Sequence, residues 1–472
     1  VTRLNEKATN DTIIESTDSS YVPFAKEERK YRFTIESGSI IENTSLDYRL
    51  FTTGNIDEYK QTISDGLLEQ NILSIRSKTG VSYSKKAFAN KIGYSLGFYD
   101  RTEIDFGFSK DLFDLVFFGN EIFMGKQINL NNTYLSATKF QQINIALSRI
   151  IQLSNVNQYI PSQIEVGLGY SYLIGNHHVD FSTNDSYIEI GNDGEYINTN
   201  LNFIANIADT NELNLFGSQG SGYALDLLLN LKKEKNNIHF SIADLGSINW
   251  NKNAVNYTSQ KEINFSGLEI DNLLTINDSL IQVQLDSLAD IDYVKKGSEF
   301  RTYLPTTYHL AYKRDLNINS DFLKNIDYIV VGRIGKHRKG SIPANFKPQY
   351  YVGTNFSHKG FHLKTSYSVG GYSKSAWQME LGQNILWQHF QLILGTHHFG
   401  SIFKGIDSSN ADFYFSLNFL FGKKRRNLGY CRRIRIWKVC YSIVNYEVDS
   451  ISSWRNSRWR SNFKWQRYFE NS

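Results

Sequence analysis

Large apolar residues alternate with small or polar ones along most of this sequence. Residues 92–98 are typical, with Ile, Tyr, Leu and Phe at the even positions and Gly and Ser between them. Because successive side chains of a β-strand point to opposite faces, the pattern predicts strands with one large apolar face and one small or polar face. Similar runs recur at residues 31–35, 104–108, 143–147, 164–172, 196–207, 223–231, 238–242, 308–312, 326–330, 361–369, 377–381 and 390–394.

The last run places five large apolar groups on one face: Phe413, Phe415, Leu417, Phe419 and Phe421. A strand of this length with an aromatic last residue is typical of the closing strand of a transmembrane β-barrel. It also resembles the C-terminal signal that the assembly machinery reads in outer-membrane barrels. Because only closure leaves no unpaired edge in lipid, we expect this strand to pair with residues 390–394 and with the first run near Tyr31.

The runs together predict an all-β fold, a transmembrane antiparallel β-barrel of about 14 strands with short helices in the N-terminal region and loops. Leu168 and Leu229 are expected to face lipid, and Gly167 and Asn230 to face the lumen.

Three stretches depart from the period of two. Apolar residues in residues 55–70 recur at helical spacing behind Asn55, which predicts a short amphipathic helix with that residue as its cap. Residues 110–119 also have the spacing of a short helix. Residues 264–300 predict a long excursion with local helix, either an extracellular loop or a partial plug.

Hydropathy and composition are compatible with a barrel in a membrane. No apolar run approaches the roughly 18 residues that a membrane-spanning helix needs, so any membrane crossing would be made by strands. Aromatic residues make up 14% of the chain although its mean hydropathy is −0.39, a combination that aromatic girdles and a polar interior would produce. The alternative is a large soluble all-β protein, whose strands also alternate.

Charge and cysteine content divide the chain near its end. Residues 423–472 carry 13 Lys and Arg against 3 Asp and Glu, and they contain Cys431 and Cys440, the two cysteines of the chain. Three interpretations of this Trp/Arg-rich tail stay open: a misread frame or other non-native extension, a disordered periplasmic extension, and a functional basic tail. The predicted organisation is a flexible segment at residues 1–29, a barrel at 30–422 and the tail at 423–472. Because the first 15 residues are polar, we expect either that a leader has been removed or that the sequence starts inside its gene.

Two short segments resemble the signatures of a known family. Residues 240–250, FSIADLGSINW, contain Asp244, Leu245 and Gly246, and residues 303–310, YLPTTYHL, contain Leu304 and Pro305. Both look like recurring motifs of an uncharacterised Gram-negative outer-membrane β-barrel family, similar to FadL-like transporters and to accessory barrels of type IX secretion.

The resemblance extends over residues 31–421 and implies an outer-membrane barrel, with no catalytic residue to carry over. The residues themselves predict that Asp244, Leu245 and Gly246 end a strand in a tight turn. They also predict that Leu304 and Pro305 form a strand entrance after a loop.

A search for chemistry motifs predicts no catalytic, cofactor-binding or metal site. Phosphate-binding glycine loops, HExxH and metal-type Cys pairs do not occur. The one GxSxG match, Gly93 to Gly97, lies inside an alternating strand rather than at a strand-to-helix elbow. The pairs at residues 177–178 and 397–398 are adjacent histidines, which would face opposite sides of a strand, so we interpret them as loop-tip residues.

Two functional classes follow for a protein of the Gram-negative outer membrane. The first is a porin-like barrel that passes or binds a small or apolar solute. The alternative is a non-transporting scaffold that docks a secretion or cell-surface partner. In either case we expect contacts with outer-membrane lipid and with the barrel assembly machinery, no nucleic-acid partner, no cofactor and no enzymatic activity.

Overall fold

The structure is a computed structural model of the 472-residue chain. It describes residues 29–44, 59–87, 92–153, 161–208, 217–265, 294–297, 299–315, 323–334, 348–358, 360–371, 375–385, 389–399 and 410–423. These residues belong to one compact unit, Val1–Lys424. The predicted N-terminal segment and basic tail lie outside the described residues, apart from Arg29 and Lys423.

Strands dominate the described residues, which confirms the predicted all-β class. The strands are β1 (Arg29–Asn43), β2 (Gln70–Lys85), β3 (Ile92–Ser109), β4 (Gln127–Asn129), β5 (Tyr134–Gln152), β6 (Gln163–Thr183), β7 (Tyr187–Ile190), β8 (Ile197–Ala208), β9 (Gly220–Lys233), β10 (Asn236–Trp250), β11 (Ala254–Phe265), β12 (Val294–Lys296), β13 (Phe300–Tyr303), β14 (Thr306–Asp315), β15 (Leu323–Ile334), β16 (Gln349–His358), β17 (Phe361–Gly370), β18 (Ser375–Ile385), β19 (Phe390–Thr396) and β20 (Ala411–Lys423). The helices are α1 (Lys60–Gly66), α2 (Lys110–Phe118) and a 3₁₀ helix (Glu121–Phe123).

Fourteen of the described strands pair in a closed antiparallel ring. Its order is β1, β2, β3, β5, β6, β9, β10, β14, β15, β16, β17, β18, β19, β20 and back to β1. At the closure Tyr31 lies opposite Phe421, and on the other edge of β20 Phe415 lies opposite Leu394. The predicted pairing of the closing strand with both neighbours is therefore confirmed.

The two faces of the ring have opposite polarity. On β6, Leu168 points outward with 54% of its surface exposed, whereas Ser171 points inward with 0% exposed. The neighbouring strands repeat this arrangement, so outward side chains are large and apolar while inward ones are mostly small or polar. Leu229 shares the outward face of β9 and Asn230 is buried on the inward face, as the alternation predicts.

The two ends of the ring differ in their connections. At the end that holds Arg29 and Lys423, which we call the terminal end, only two residues separate β9 from β10 and β16 from β17. At the opposite end, which we call the loop end, the connections carry both α-helices and β4, β7, β8, β11, β12 and β13. The described parts of the insertions therefore lie at one end of the ring.

The helices at the loop end match the predicted stretches in part. α2 begins where the Ser109 hydroxyl accepts a hydrogen bond from the backbone N of Leu112 at 3.1 Å, which satisfies one free N–H of the first turn. α1 is shorter than predicted, and the expected cap Asn55 lies outside the described residues. No helix in the described part of the chain is both long and apolar enough to cross a membrane.

The wall of the ring forks at the loop end of β6. Up to Gly175, β6 pairs with β9, and from His178 to Thr183 it pairs with β8 instead. β8 then pairs with β7 and β11, which pair with β4 and β12. A buried apolar cluster, the fork cluster, contains Phe140, Leu173, Ala208, Ala224, Ile248, Trp250, Phe300 and Leu304. Most of the predicted excursion at residues 264–300 lies outside the described residues.

Candidate functional site

The two motif segments that the sequence singled out meet on paired strands. The backbone N of Leu304 donates to Gly246 O at 3.0 Å, and Thr306 Oγ1 donates to Asp244 O at 3.3 Å. Leu304 and Pro305 lie between β13 and the first residue of β14. Asp244, Leu245 and Gly246 do not end a strand, so the predicted tight turn is wrong.

These residues instead form a β-bulge in the middle of β10. The register against β9 shifts between Ile242 and Leu245, so that Ala243 and Asp244 together face Asp226. An extra residue on one strand bends it and increases its local twist. The sequence alone did not distinguish a bulge from a turn, because both favour glycine and residues with short side chains such as Asp.

The bulge changes which side chains of β10 point inward. Before it, Phe240 points outward with 36% of its surface exposed, whereas beyond it Trp250 is fully buried in the fork cluster. Both residues have even numbers, so an uninterrupted strand would place them on the same face. A β-carbon on Gly246 would lie 2.0 Å from the Tyr223 carbonyl oxygen, which explains the glycine at this position.

Asp244 brings a buried carboxylate into the interior of the ring. Its backbone has a φ of 59°, a left-handed conformation that Asp and Asn tolerate better than other side chains do. Its backbone N donates to Asp226 Oδ1 at 2.9 Å, and its own Oδ1 accepts from Arg101 Nη1 at 2.8 Å. The bulge therefore fixes the carboxylate through the main chain and directs it at a guanidinium.

Arg101 is the cation at the centre of the site. It is 4% exposed and lies on the inward face of β3. Its Nη2 donates to Glu103 Oε1 at 2.7 Å, and its Nη1 donates to Gln142 Oε1 at 3.0 Å as well as to Asp244. The guanidinium carbon also lies 5.0 Å from the centre of the Phe140 ring. A planar guanidinium can make these contacts together, whereas an ammonium group has no comparable fork.

Neutral side chains complete a circuit of hydrogen bonds. Gln142 Nε2 donates to Ser171 Oγ at 2.8 Å, and Asn144 Nδ2 donates to the same hydroxyl at 2.9 Å. Asn144 Nδ2 also reaches Asp226 Oδ2 at 3.2 Å. The bonds run from β3 through β5 and β6 to β9 and β10, then back to Arg101. We call this set of side chains the interior circuit.

The interior circuit joins strands that are not neighbours in the ring. Between β3, which carries Arg101, and β10, which carries Asp244, lie β5, β6 and β9. Four strand spacings of about 4.8 Å amount to about 19 Å along the wall. The Arg101 Nη1 and Asp244 Oδ1 atoms are nevertheless only 2.8 Å apart. The Arg101 and Asp244 side chains therefore bridge the interior face of five consecutive strands.

Within the interior circuit, Arg101 forms ion pairs with Glu103 and Asp244, whereas the third carboxylate, Asp226, accepts from the backbone N of Asp244. The nearest cations on β2 are engaged along the wall, since Lys78 Nζ lies 2.6 Å from Glu36 Oε1 and Arg76 forms an ion pair with Glu42. Buried carboxylates are stabilised only when a charge or several hydrogen bonds compensate them. Arg101 is therefore the cation that contacts both Glu103 and Asp244 directly.

The fork cluster adjoins the interior circuit at the loop end. The imidazole ring of His178 stacks on Trp250, with centroids 5.2 Å apart, and Trp250 Nε1 donates to Thr302 Oγ1 at 2.9 Å. The prediction that His177 and His178 are loop-tip residues is wrong, because both lie within β6. The strand continues past a bulge at Asn176, which lies between the paired residues Gly175 and His177.

The second histidine pair lies just beyond β19. His397 Nδ1 is 2.5 Å from Asp412 Oδ2, and His398 Nδ1 is 3.0 Å from Asp412 Oδ1. Both rings reach one carboxylate because β19 ends at Thr396, so the alternation of a strand no longer separates them. No group of metal-binding side chains is found in the described parts of the chain.

The five predicted assembly-signal residues lie in β20: Phe413, Phe415, Leu417, Phe419 and Phe421. Phe413 is 57% exposed on the outer face. The Phe419 ring contacts Phe33 on one neighbouring strand at 5.9 Å and Phe390 on the other at 5.0 Å. Aromatic contacts therefore join the closing strand to both of its partners.

Sequence reasoning missed the residues of the interior circuit outside the motif. Arg101 and Glu103 lie between the alternating runs 92–98 and 104–108, at the odd positions that point inward in both runs, and this was an available signal. The GxSxG match lies in the same strand, β3, as the alternation predicts. Nothing in the linear pattern indicated that Arg101 would meet a carboxylate 143 residues away.

Comparison with solved structures finds a hydrocarbon channel and toluene transporters of low identity. A TodX deltaS2S3 mutant monoaromatic hydrocarbon channel is 8% identical, with 83% of this chain and 90% of that chain covered and a TM-score of 0.42. The P. putida toluene transporter TodX is 9% identical, with coverages of 85% and 92% and a TM-score of 0.41. The Ralstonia pickettii toluene transporter TbuX is 8% identical, with coverages of 84% and 90% and a TM-score of 0.40.

Sequence comparison identifies the family. Among curated proteins, none matches this chain. Residues 34–396, which include both motif segments and the interior circuit, match the family of unknown function DUF5723. The predicted membership of an uncharacterised family is therefore confirmed, and the chain belongs to DUF5723.

Proposed function

We propose that this chain is an outer-membrane β-barrel of a Gram-negative bacterium, and that it binds or passes a small solute through its lumen. The observation that carries the proposal is the inverted polarity of a closed ring. Leu96, Leu147 and Leu168 are about half exposed on the outside, while polar groups are buried inside. Water favours the opposite arrangement, whereas a bilayer stabilises an apolar outer belt around strands that satisfy all their backbone groups.

Strand length supports a membrane location. A tilted strand needs about 9–11 residues to cross the hydrocarbon core of a bilayer. Strands in the N-terminal half of the ring exceed this length, since β1, β3 and β6 contain 15, 18 and 21 residues. The surplus residues would reach into the aqueous layer at the loop end.

The unequal ends of the ring suggest an orientation. Outer-membrane barrels have short periplasmic turns and longer extracellular loops. We therefore place the terminal end, with its two-residue connections, in the periplasm and the loop end outside the cell. Both chain termini of the barrel would then lie on the periplasmic side.

The lining of the lumen bears on the class of solute. The inward side chains of the interior circuit are amides, hydroxyls and charged groups, and they lie close to one another. Such a lining offers hydrogen bonds to a small polar or charged solute and little apolar surface to a large one. Of the two solute classes that the sequence predicts, the lining favours the small one.

Proteoliposomes test this function directly. The full chain is reconstituted, its heat-modifiable gel mobility is checked, and swelling rates are measured in sugars and amino acids of increasing size. We expect uptake of the smallest solutes, with a rate that falls steeply with solute size. A small aromatic solute, measured in parallel, tests the apolar class. Fully inserted barrels that admit no solute would contradict the proposal and favour the scaffold alternative, particularly if a secretion or surface protein co-purifies.

We further propose that β20 carries the signal for the barrel assembly machinery. The outward exposure of Phe413 and Phe421 on the closing strand supports this role, because such side chains remain accessible until the ring closes.

We also propose that the chain contacts outer-membrane lipid through its outer belt and has neither an enzymatic role nor a nucleic-acid partner. Phe421→Asp should reduce the amount of barrel assembled in cells, whereas Lys85→Asp, at the same end of the ring, should not.

A further inference from the structure

We propose that Arg101 and Asp244 form a latch that holds the lumen in a narrowed state, and that solute passage requires this latch to open. The inference rests on the proposed function of a solute-passing barrel. In this proposal Arg101 controls the passage of solute in addition to stabilising the wall of the barrel.

The latch spans three intervening strands, whereas the Asn144–Asp226 and Tyr414–Glu380 contacts each span one and other polar contacts of the described lumen join adjacent strands. Thr34 Oγ1 donates to Asn418 Oδ1 at 2.7 Å between the adjacent strands β1 and β20. Asn418 Nδ2 donates to Gln391 Oε1 at 3.1 Å between the adjacent strands β20 and β19. The Arg101–Asp244 pair instead joins β3 to β10 over the intervening β5, β6 and β9. Contacts between adjacent strands stabilise the wall. A contact across the interior, by contrast, restricts the width of the lumen.

Both partners of the Arg101–Asp244 ion pair are held in position by other contacts. Glu103 and Gln142 hold the guanidinium from β3 and β5, which fixes the direction of the Nη1 donor. On the other side, the bulge and the hydrogen bond to Asp226 fix the backbone of Asp244. A charge pair with both partners oriented in this way loses little side-chain entropy when it forms.

The same partners make an open state accessible. If the pair separates, Arg101 keeps the carboxylate of Glu103 on its own strand, so its charge stays compensated. Asp244 keeps its backbone contacts with Asp226 and Thr306, and its carboxylate would face lumen water. Opening therefore breaks one cross-lumen ion pair while each wall keeps its own hydrogen bonds. Two discrete arrangements of this kind are what a gate requires.

Conductance across planar lipid bilayers tests the latch in the full chain. The variants are Arg101→Ala and Asp244→Asn, since Asn also tolerates the left-handed backbone at this position. Ser366→Ala is the control, because Ser366 is also a buried inward side chain but donates to Gln378 Oε1 on the adjacent strand at 2.8 Å. We expect a severalfold rise in time-averaged conductance for both latch variants and no rise for Ser366→Ala.

A second measurement examines the pair independently of passage. Unfolding of the barrels Arg101→Ala, Asp244→Asn and the double variant in lipid should give non-additive losses of stability, because the two side chains share one interaction. Additive losses would overturn the latch. If Arg101→Ala does not fold, the conductance of Asp244→Asn decides the question.

The outcomes separate the latch from the proposed function. If wild type passes solute and Asp244→Asn gives no rise, the latch is overturned and the solute barrel stands. An equal rise in Ser366→Ala would indicate general loosening of the wall and would also overturn the latch. If inserted wild type and all variants pass nothing, both the latch and the proposed function fail.

Discussion

Two sectors of the ring line the same interior with different chemistry. In the sector of β3, β5, β6, β9 and β10, called here the bridged sector, a guanidinium and three carboxylates are linked by the interior circuit. The sector of β16 to β20 with β1, called here the ladder sector, contains neutral pairs such as Ser366–Gln378 and Thr34–Asn418, while its carboxylates Glu380 and Asp412 contact tyrosine and histidine side chains. These pairs join adjacent strands and repeat along the wall.

The contrast separates two uses of buried polar groups. A ladder of neutral pairs satisfies inward side chains locally, and each pair contributes about 1 kcal/mol. A buried charge network depends on all its members, because the loss of one leaves another charge uncompensated. We therefore expect a single substitution to change the stability of the barrel most in the bridged sector. The gate that we propose lies in the same sector.

Removal of the central cation should have the largest effect. Arg101→Ala is expected to lower the free energy of unfolding by about 3–5 kcal/mol, because the buried Glu103 and Asp244 lose the guanidinium. Denaturant unfolding of the barrel in lipid, followed by gel mobility, measures this change. A loss no larger than that of a neutral ladder pair would erase the distinction between the sectors.

The outer belt should not distinguish the sectors. Leu168→Arg in the bridged sector and Leu381→Arg in the ladder sector should each destabilise the barrel by about 2–4 kcal/mol, because both leucines point outward in the apolar outer belt. The inward variant Asn230→Arg is the control, because its side chain can reach Glu165. A larger loss for Asn230→Arg than for the two leucines would mean that the faces are misassigned.

The bulge should tolerate no β-carbon at its glycine. Gly246→Ala is expected to cost about 1–3 kcal/mol, because the added carbon meets a backbone oxygen that cannot move without disturbing the strand pairing. Gly66→Ala is the control, since a β-carbon there meets nothing within 4 Å. Equal stability of the two variants would show that β9 and β10 can separate at the bulge without penalty.

A ladder pair should give the smallest effect. Thr34→Val removes one buried hydroxyl and keeps the shape of the side chain, so the expected loss is about 1 kcal/mol. The same unfolding measurement applies, with unchanged bilayer conductance as a second readout. A conductance rise in Thr34→Val would place part of the gate in the ladder sector.

Much of the fold could be read from local alternation. The run that ends at Phe421 predicted its own outward face and its position between β19 and β1, because a closed ring leaves a terminal strand no other partners. Positions where a strand ends or becomes irregular could not be predicted in this way. His397 and His398 reach one carboxylate only because β19 stops at Thr396, and a strand end is set by the loop that follows.

The motif illustrates where reasoning from sequence ended. Asp244 and Gly246 were recognised as a special backbone position, but a turn and a bulge have similar residue preferences. The pairing partner distinguishes them, since β9 continues past both residues with one residue fewer. Only that register explains why Phe240 points outward and Trp250 inward.

The sequence by itself determined the all-β class, the apolar outer face and the closing strand, because side-chain alternation and strand pairing follow from neighbouring residues. Tertiary structure alone decided that Arg101 and Asp244 meet. Their contact requires the bulge of β10 and the order of five strands, and residues 143 positions apart carry no local signal of these. The ion pair across the interior is therefore a property of the assembled ring, whereas the polarity of the two faces is already present in each strand.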